Sequence, residues 1–259
     1  MLPNAPQTLA LDFDGVLCDG LLEYFQTSWR AYRQTWPTST PTPPDRLAET
    51  FYRLRPVVGS GWEMPVLLRA IIKGFSEADI MQQWQIVRTR IVADEDLNPK
   101  ILGLRVDTIR DQWIAEDLTV WLGVHRFYPG VSQQLQQWLN TDLNLLIITT
   151  KESRFVQKLL ERENIPLPSD RIFGKDRQFP KAETLRNLQK QQSPAPIWFV
   201  EDLLSTLETV KSQSDLQEIG LFLADWGYNT ASDRQLAAKD NRIRLLLLNQ
   251  FSQPFSDWG

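Results

Sequence analysis

Thr8-Leu9-Ala10-Leu11-Asp12-Phe13-Asp14-Gly15 is the stretch on which the reading of this chain turns. Its first four residues form a short apolar run, which predicts a buried strand cut off by Gly15. On a strand, side chains i and i+2 face one way and the one between faces the other. Asp12 and Asp14 therefore lean into one space, and Phe13 into the core. Two adjacent carboxylates repel, so the pair is costly unless a cation or a shared proton lies between them. That points to a hard divalent metal, or to a nucleophile beside a proton donor. A solvated turn is the competing reading, since Asp and Gly are common turn residues.

Further along, two regions differ. From about Asp19 to Arg126 the pattern is helical. Leu21-Leu22, Tyr24-Phe25, Ser28-Trp29 and Tyr32 recur at helical spacing, and Trp36-Pro37 ends that element. A Thr/Pro loop over Pro37 to Pro44 follows, with Asp45 as the N-cap of a helix through Leu54. More helices are expected over Met64–Lys73, Ala78–Ile91 and Pro99–Ala115, with Ser76 and Asp79 forming a capping pair. From Tyr128 onward, helices alternate with strand-like runs at Leu143–Ile148, Arg171-Ile172-Phe173, Ile197–Val200, Ile219–Ala224 and Ile243–Leu248. Continuous apolar strands separated by helices imply a mostly parallel sheet covered on both faces. The helical stretch then reads as an insertion after the first strand.

Ligands of open parallel sheets bind beyond the carboxyl ends of the strands. The first strand ends in Asp12 and Asp14, the second long one in Thr149-Thr150-Lys151, and Ile197–Val200 in Glu201-Asp202. Lys181 opens the helix before the last of these. Carboxylates, a hydroxyl and an ammonium on one rim suit Mg²⁺, which takes oxygen ligands, and a phosphoryl group.

On these residues the chain resembles phosphatases of the haloacid dehalogenase superfamily, in their phosphoglycolate phosphatase-like branch. Asp12-Phe13-Asp14-Gly15-Val16-Leu17 matches the first motif in full. Thr149 matches the second, Lys181 the third and Glu201-Asp202 the acidic fourth. Tyr128-Pro129-Gly130-Val131 and Trp226-Gly227-Tyr228-Asn229-Thr230 resemble two further segments of that branch. The resemblance implies a Rossmann-like α/β core over 1–17 and 128–259 with an inserted α-helical cap over 18–127. It also implies Asp12 as nucleophile, Asp14 as acid and then base, and Thr149 and Lys181 as holders of the phosphoryl oxygens. Mg²⁺ would be held by Asp12, Asp14 (through its backbone carbonyl) and Asp202, with Glu201 as a further ligand candidate. Glu201 stands where relatives often carry Gly, and Thr206 and Leu207 stand where a later acid falls. Lys175, after Phe173-Gly174, competes for the lysine position, which the resemblance assigns to Lys181.

The expected activity is Mg²⁺-dependent hydrolysis of a small phosphorylated metabolite through an aspartyl-phosphate. A phosphomutase of the β-phosphoglucomutase type and a non-catalytic phosphate-ligand binder are the alternatives. Arg53, Arg55, Glu63 and Arg69 cluster around Gly59-Ser60-Gly61, reading either as a substrate-anion clamp or as local ion pairs. His125 and Cys18 read as packing residues.

Composition narrows the remaining classes. The chain has 259 residues, 42% of them hydrophobic and 23% charged, so it reads as an ordinary globular protein. A formal charge of -4 argues against a nucleic-acid groove. One Cys and one His exclude disulfide frameworks and multi-histidine metal clusters. The apolar runs are too short to span a bilayer, and the N-terminus lacks a signal-peptide pattern. The expectation is a soluble cytoplasmic protein. Ten Trp residues are read as packing rather than as a ligand platform.

Overall fold

A computed structural model describes residues 5–37, 40–192 and 195–258. Positions 38 and 39 of the Thr/Pro loop lie outside the described residues. The chain divides into two compact units, Met1–Asp19 with Arg126–Gly259, and Gly20–His125. The sequence expectation put these boundaries at 18 and 127. Residues 18–19 and 126–127 instead pair with each other as short antiparallel strands and count with the sheet.

In chain order the elements begin with β1 (Thr8–Leu11) and β2 (Cys18–Asp19). Six helices follow: α1 (Leu21–Thr35), α2 (Leu47–Leu54), α3 (Glu63–Ile72), α4 (Glu77–Asp94), α5 (Pro99–Glu116) and α6 (Leu118–Gly123). The sheet unit resumes with β3 (Arg126–Phe127), α7 (Val131–Leu139), β4 (Asn144–Ile148), α8 (Ser153–Arg162) and β5 (Ile172–Phe173). It continues with α9 (Lys181–Gln192), β6 (Ile197–Glu201), α10 (Leu204–Lys211) and β7 (Gly220–Ala224). The described residues close with α11 (Ala231–Lys239), β8 (Ile243–Leu246) and α12 (Leu248–Phe251).

The six-stranded sheet is parallel, in the order β5-β4-β1-β6-β7-β8. Leu9, Ala10 and Leu11 are completely buried, as an interior strand covered on both faces requires. Thr8 pairs with Asn144 on one side and Ile197 on the other, and Leu11 with Ile147 and Val200. The order has a functional consequence. The connection out of β1 leads to β4 on one side, and the connection out of β6 leads to β7 on the other. A crevice therefore opens between the carboxyl ends of β1 and β6, the topological switch point where such sheets bind ligands.

The other flank of the core is aromatic. Trp198 of β6, Phe222 of β7, Trp138 of α7, Phe251 of α12, Phe255 and Trp258 form one network, with ring centroids 4.7–6.0 Å apart in the pairs that link them. Trp258 is fully buried there.

The helical unit follows its sequence pattern closely. Tyr24, Phe25, Trp29 and Tyr32 line the buried face of α1. Ser76 caps α4 by accepting the Asp79 N–H at 3.0 Å, and Asn98 caps α5 ahead of Pro99. Glu23, fully buried, pairs with Arg110 at 2.7 Å and accepts the Thr27 hydroxyl at 2.7 Å. Two expectations need correction. The residue before α2 is Arg46, in the left-handed region at φ 62, because a turn from Pro44 O to Leu47 N precedes the helix; Asp45 does not cap it. The last strand ends at Leu246 rather than Leu248: Gln250 Oε1 accepts the Leu247 N–H at 2.9 Å, and the chain turns into α12. Helix α6, with Asp117 accepting the Val120 N–H at its start, adds to the expected set. No helix among the described residues is long and apolar enough to cross a membrane.

Candidate active site

Asp12 follows the last paired residue of β1, and its N–H continues the ladder to Val200 O at 2.9 Å. This fixes the aspartate at the switch point. The chain then folds tightly: Leu17 N and Cys18 N both donate to Phe13 O, at 2.9 and 3.0 Å, and Gly15 N donates to Cys18 O at 2.9 Å. Gly15 takes φ +87, which suits glycine. Phe13 is sealed in the core, edge-on to Phe127, so the side chains on either side of it are turned toward the rim.

Lys181, the first residue of α9, reaches the same point. Its Nζ lies 3.0 Å from Asp12 Oδ1 and 2.6 Å from Glu201 Oε2. Glu201 ends β6, is fully buried, and accepts the Leu203 N–H on Oε1 at 3.2 Å. Asp202 accepts the Tyr228 N–H on Oδ2 at 2.8 Å, and its carbonyl accepts from the Asn229 side chain at 3.0 Å. Gly15 and Gly227 close on Asp202 from two sides: a Cβ on either would run into its side chain. Oxygens of Asp12, Glu201 and Asp202 lie within 4.8 Å of one another.

Burial pushes the Asp12 carboxyl up to about 7, helped by the charge of Glu201 and opposed by Lys181. Burial likewise pushes Glu201 up to about 7, with Lys181 opposing. Burial works against the Lys181 ammonium, yet its two carboxylate partners outweigh it and hold the pKa above its usual value. One lysine thus pairs with two of three clustered acids, Asp12 and Glu201, and its ammonium is the partner of the buried Asp12 Oδ1. An all-oxygen donor set with more carboxyl groups than ammonium groups is what a hard divalent cation needs.

Thr149 stands just past β4, 5% exposed, with its N–H bonded to Phe173 O at 2.9 Å. Its Oγ1 accepts the Lys151 N–H at 3.2 Å, which leaves the hydroxyl proton available to an anion. The Asp14 side chain stands outside the acidic trio and pairs with Lys151, Nζ to Oδ1 at 3.1 Å. Lys175 is exposed and meets this region through its backbone, donating to Lys151 O. The structure thus brings Asp12, Lys181, Glu201 and Asp202 together and places Asp14 with Lys151. Sequence reasoning missed Lys151 and the Tyr228-Asn229 clasp on Asp202, although both lie in stretches it quoted.

In the helical unit the three arginines singled out around Gly59-Ser60-Gly61 are engaged within the unit. Arg53 pairs with Glu77 and Arg69 with Glu95, while Arg55 donates to Val58 O. Glu63 binds Arg88, the Trp84 indole N–H and the Ser60 hydroxyl, which ties down the Gly59–Gly61 turn. His125 is buried with Nδ1 2.9 Å from Trp121 O, and Cys18 is buried with its thiol pKa raised by desolvation.

No protein-family model matches the sequence, and no curated protein does. Solved structures do match over nearly the whole length. A predicted phosphatase from Clostridium acetobutylicum superposes with a TM-score of 0.60 at 14% identity, covering 96% of this chain and 97% of its own. The fold is that of the haloacid dehalogenase-like hydrolases. A structure named as a predicted phosphoglycolate phosphatase, from Haemophilus somnus 129PT, aligns over 99% of this chain and 97% of its own. Its TM-score is 0.57 and its identity 16%. A haloacid dehalogenase-like hydrolase from Streptococcus pneumoniae aligns with a TM-score of 0.53 at 15% identity, over 93% of each chain. Within this fold, the site described above lies at the carboxyl rim of the central strands.

Proposed function

We propose that this protein is a divalent-metal-dependent phosphatase that hydrolyses a small phosphorylated metabolite through an aspartyl-phosphate on Asp12. The observation that carries the reading is the Lys181 ammonium 3.0 Å from Asp12, with Glu201 and Asp202 in the same buried cluster. Asp12 is the nucleophile: one of its oxygens bonds to phosphorus as the bond to the leaving oxygen breaks. Asp14 gives a proton to that leaving oxygen, then takes one from the water that cleaves the phosphoryl group from Asp12. The Thr149 hydroxyl and Lys181 hold the phosphoryl oxygens as charge builds on them. Asp12, Asp202 and Glu201, with the Asp14 backbone carbonyl, would hold Mg²⁺. Bound there, the cation would neutralise phosphoryl charge and help align the group for in-line displacement. The helical unit, in this reading, is the cap that selects the substrate.

Asp12→Asn should abolish phosphate release from a panel of phosphorylated metabolites while leaving the circular dichroism and melting profile of a folded protein. Undiminished turnover in that variant would rule the mechanism out. Transfer of the phosphoryl group to a second sugar hydroxyl, with little free phosphate, would instead make the protein a phosphomutase.

A further inference from the structure

In the phosphatase reading, the two aspartates of Asp12-Phe13-Asp14 divide the work, and the structure gives each its own lysine. Lys181 stands against Asp12. Lys151 Nζ lies 3.1 Å from Asp14 Oδ1 and 3.3 Å from Oδ2. The Lys151 side chain is only 5% exposed, against 17% for Asp14. Lysine is seldom so deeply buried without a partner that justifies it. Its loop is tied down at several points. Lys151 N donates to Thr149 Oγ1, Lys151 O accepts from Lys175 N at 3.0 Å, and Ser153 N donates to Asp176 at 2.7 Å. Gly174 N adds a bond to Ser153 Oγ at 3.1 Å. The partner backbone is equally fixed, because Asp14 bridges to Cys18 across the tight turn. Two constrained backbones therefore present one ammonium to one carboxyl group. The oxygens gathered for a cation come from Asp12, Glu201 and Asp202, and the Asp14 side chain is not among them.

We propose that Lys151 is a positioning residue for proton transfer: it holds the Asp14 carboxyl apart from the acidic trio and reserves it for the reacting oxygens. The assignment rests on the phosphatase reading and deepens it. In the first half, the Asp12–phosphorus bond forms and the bond to the leaving oxygen breaks, while the Asp14 proton passes to that oxygen and an alcohol departs. In the second half, a water oxygen bonds to phosphorus and its proton returns to Asp14. The Asp12–phosphorus bond breaks, releasing inorganic phosphate and restoring the Asp12 carboxylate. Lys151 touches neither phosphorus nor substrate; it acts through Asp14.

The test compares wild type, Lys151→Met, Lys151→Arg, Asp14→Asn and the Asp14→Asn/Lys151→Met double variant on two esters. Glycerol 2-phosphate needs a proton on its leaving oxygen, whereas 2,4-dinitrophenyl phosphate leaves without one. Lys151→Met should lower kcat on glycerol 2-phosphate about 10²–10³-fold, the scale of general acid–base catalysis. On the dinitrophenyl ester the pre-steady-state burst of dinitrophenolate, which reads the first half alone and not the later step in which Asp14 takes a proton from water, should slow less than about tenfold, because that leaving group bypasses the acid. Lys151→Arg should restore most of the difference, and Lys151→Met should cost nothing further once Asp14 is Asn. Equal losses on both esters, additivity with Asp14→Asn, or a raised KM at unchanged kcat would each overturn the assignment. Should Lys151→Met fail to fold, Lys151→Gln, which keeps a polar end without the charge, takes its place alone and with Asp14→Asn in the same ester comparison. A wild type inactive on every phosphorylated compound would count against the phosphatase reading itself.

Discussion

Asp202 sits against the backbone of Gly15 and Gly227, where a Cβ on either glycine would run into its side chain. Gly15→Ala would push a methyl group into that carboxylate and force a side chain into the left-handed region, which costs about 1–2 kcal/mol. Gly227→Ala would press on the same residue from the other side without the dihedral penalty. Both variants should weaken Mg²⁺ binding at least tenfold by isothermal titration. Gly15→Ala should also unfold at lower urea, and Gly227→Ala should show the binding defect with less loss of stability. The raised pKa values of Asp12 and Glu201 give a second prediction at this scale. Between the ordinary carboxylate pKa and about 7 the folded state binds more protons here than the unfolded chain. Stability from this site is therefore present at low pH and lost as pH rises through that window. In EDTA, the melting temperature should fall from pH 5 to pH 8, and less so in Asp12→Asn and Glu201→Gln. Saturating Mg²⁺ at pH 8 should restore it, because a cation favours the ionised acids.

At the scale of elements, strand ends were the legible part of the site. Asp12, Thr149 and Glu201-Asp202 each sit at the end of an apolar run, and Lys181 opens a helix, signals carried by neighbouring residues. The Lys151–Asp14 pair was not legible, because its members are 137 residues apart and meet only once β1 and β4 lie side by side. The strand order was hidden for the same reason: periodicity marks a buried strand but not which strands flank it. The end of β8 was misjudged because Leu245 to Leu248 reads as one apolar run, while a side-chain bond from Gln250 turns the chain. Tryptophan abundance acquires its meaning at this scale too. Trp258 is wedged among Trp138, Trp198, Phe222, Phe251 and Phe255, gathering α7, β6, β7 and α12 around one fully buried ring. Trp258→Ala should destabilise the sheet unit by about 3–5 kcal/mol, read as a shift of the urea midpoint. The residual folded protein should keep its kcat, since the ring packs against Trp138, Trp198, Phe222, Phe251 and Phe255, none of them a residue of the proposed site.

For the molecule as a whole, the two units draw on different kinds of neighbour. The helical unit is one unbroken stretch of chain, Gly20–His125, whose caps, turns and buried Glu23–Arg110 pair all form within it. The sheet unit is split. Leu11 is paired with Ile147 and Val200, partners far downstream that flank it on both sides. A ribosome therefore emits β1 well before either neighbour exists, and contacts of such long separation form slowly. The intervening helices can mature on the emerging chain while the strand bearing Asp12 waits unpaired, since domains made early fold as units during synthesis. The strand bearing Asp12 thus gains its flank at Ile147 before its flank at Val200, and its apolar edge stays open until both have been made.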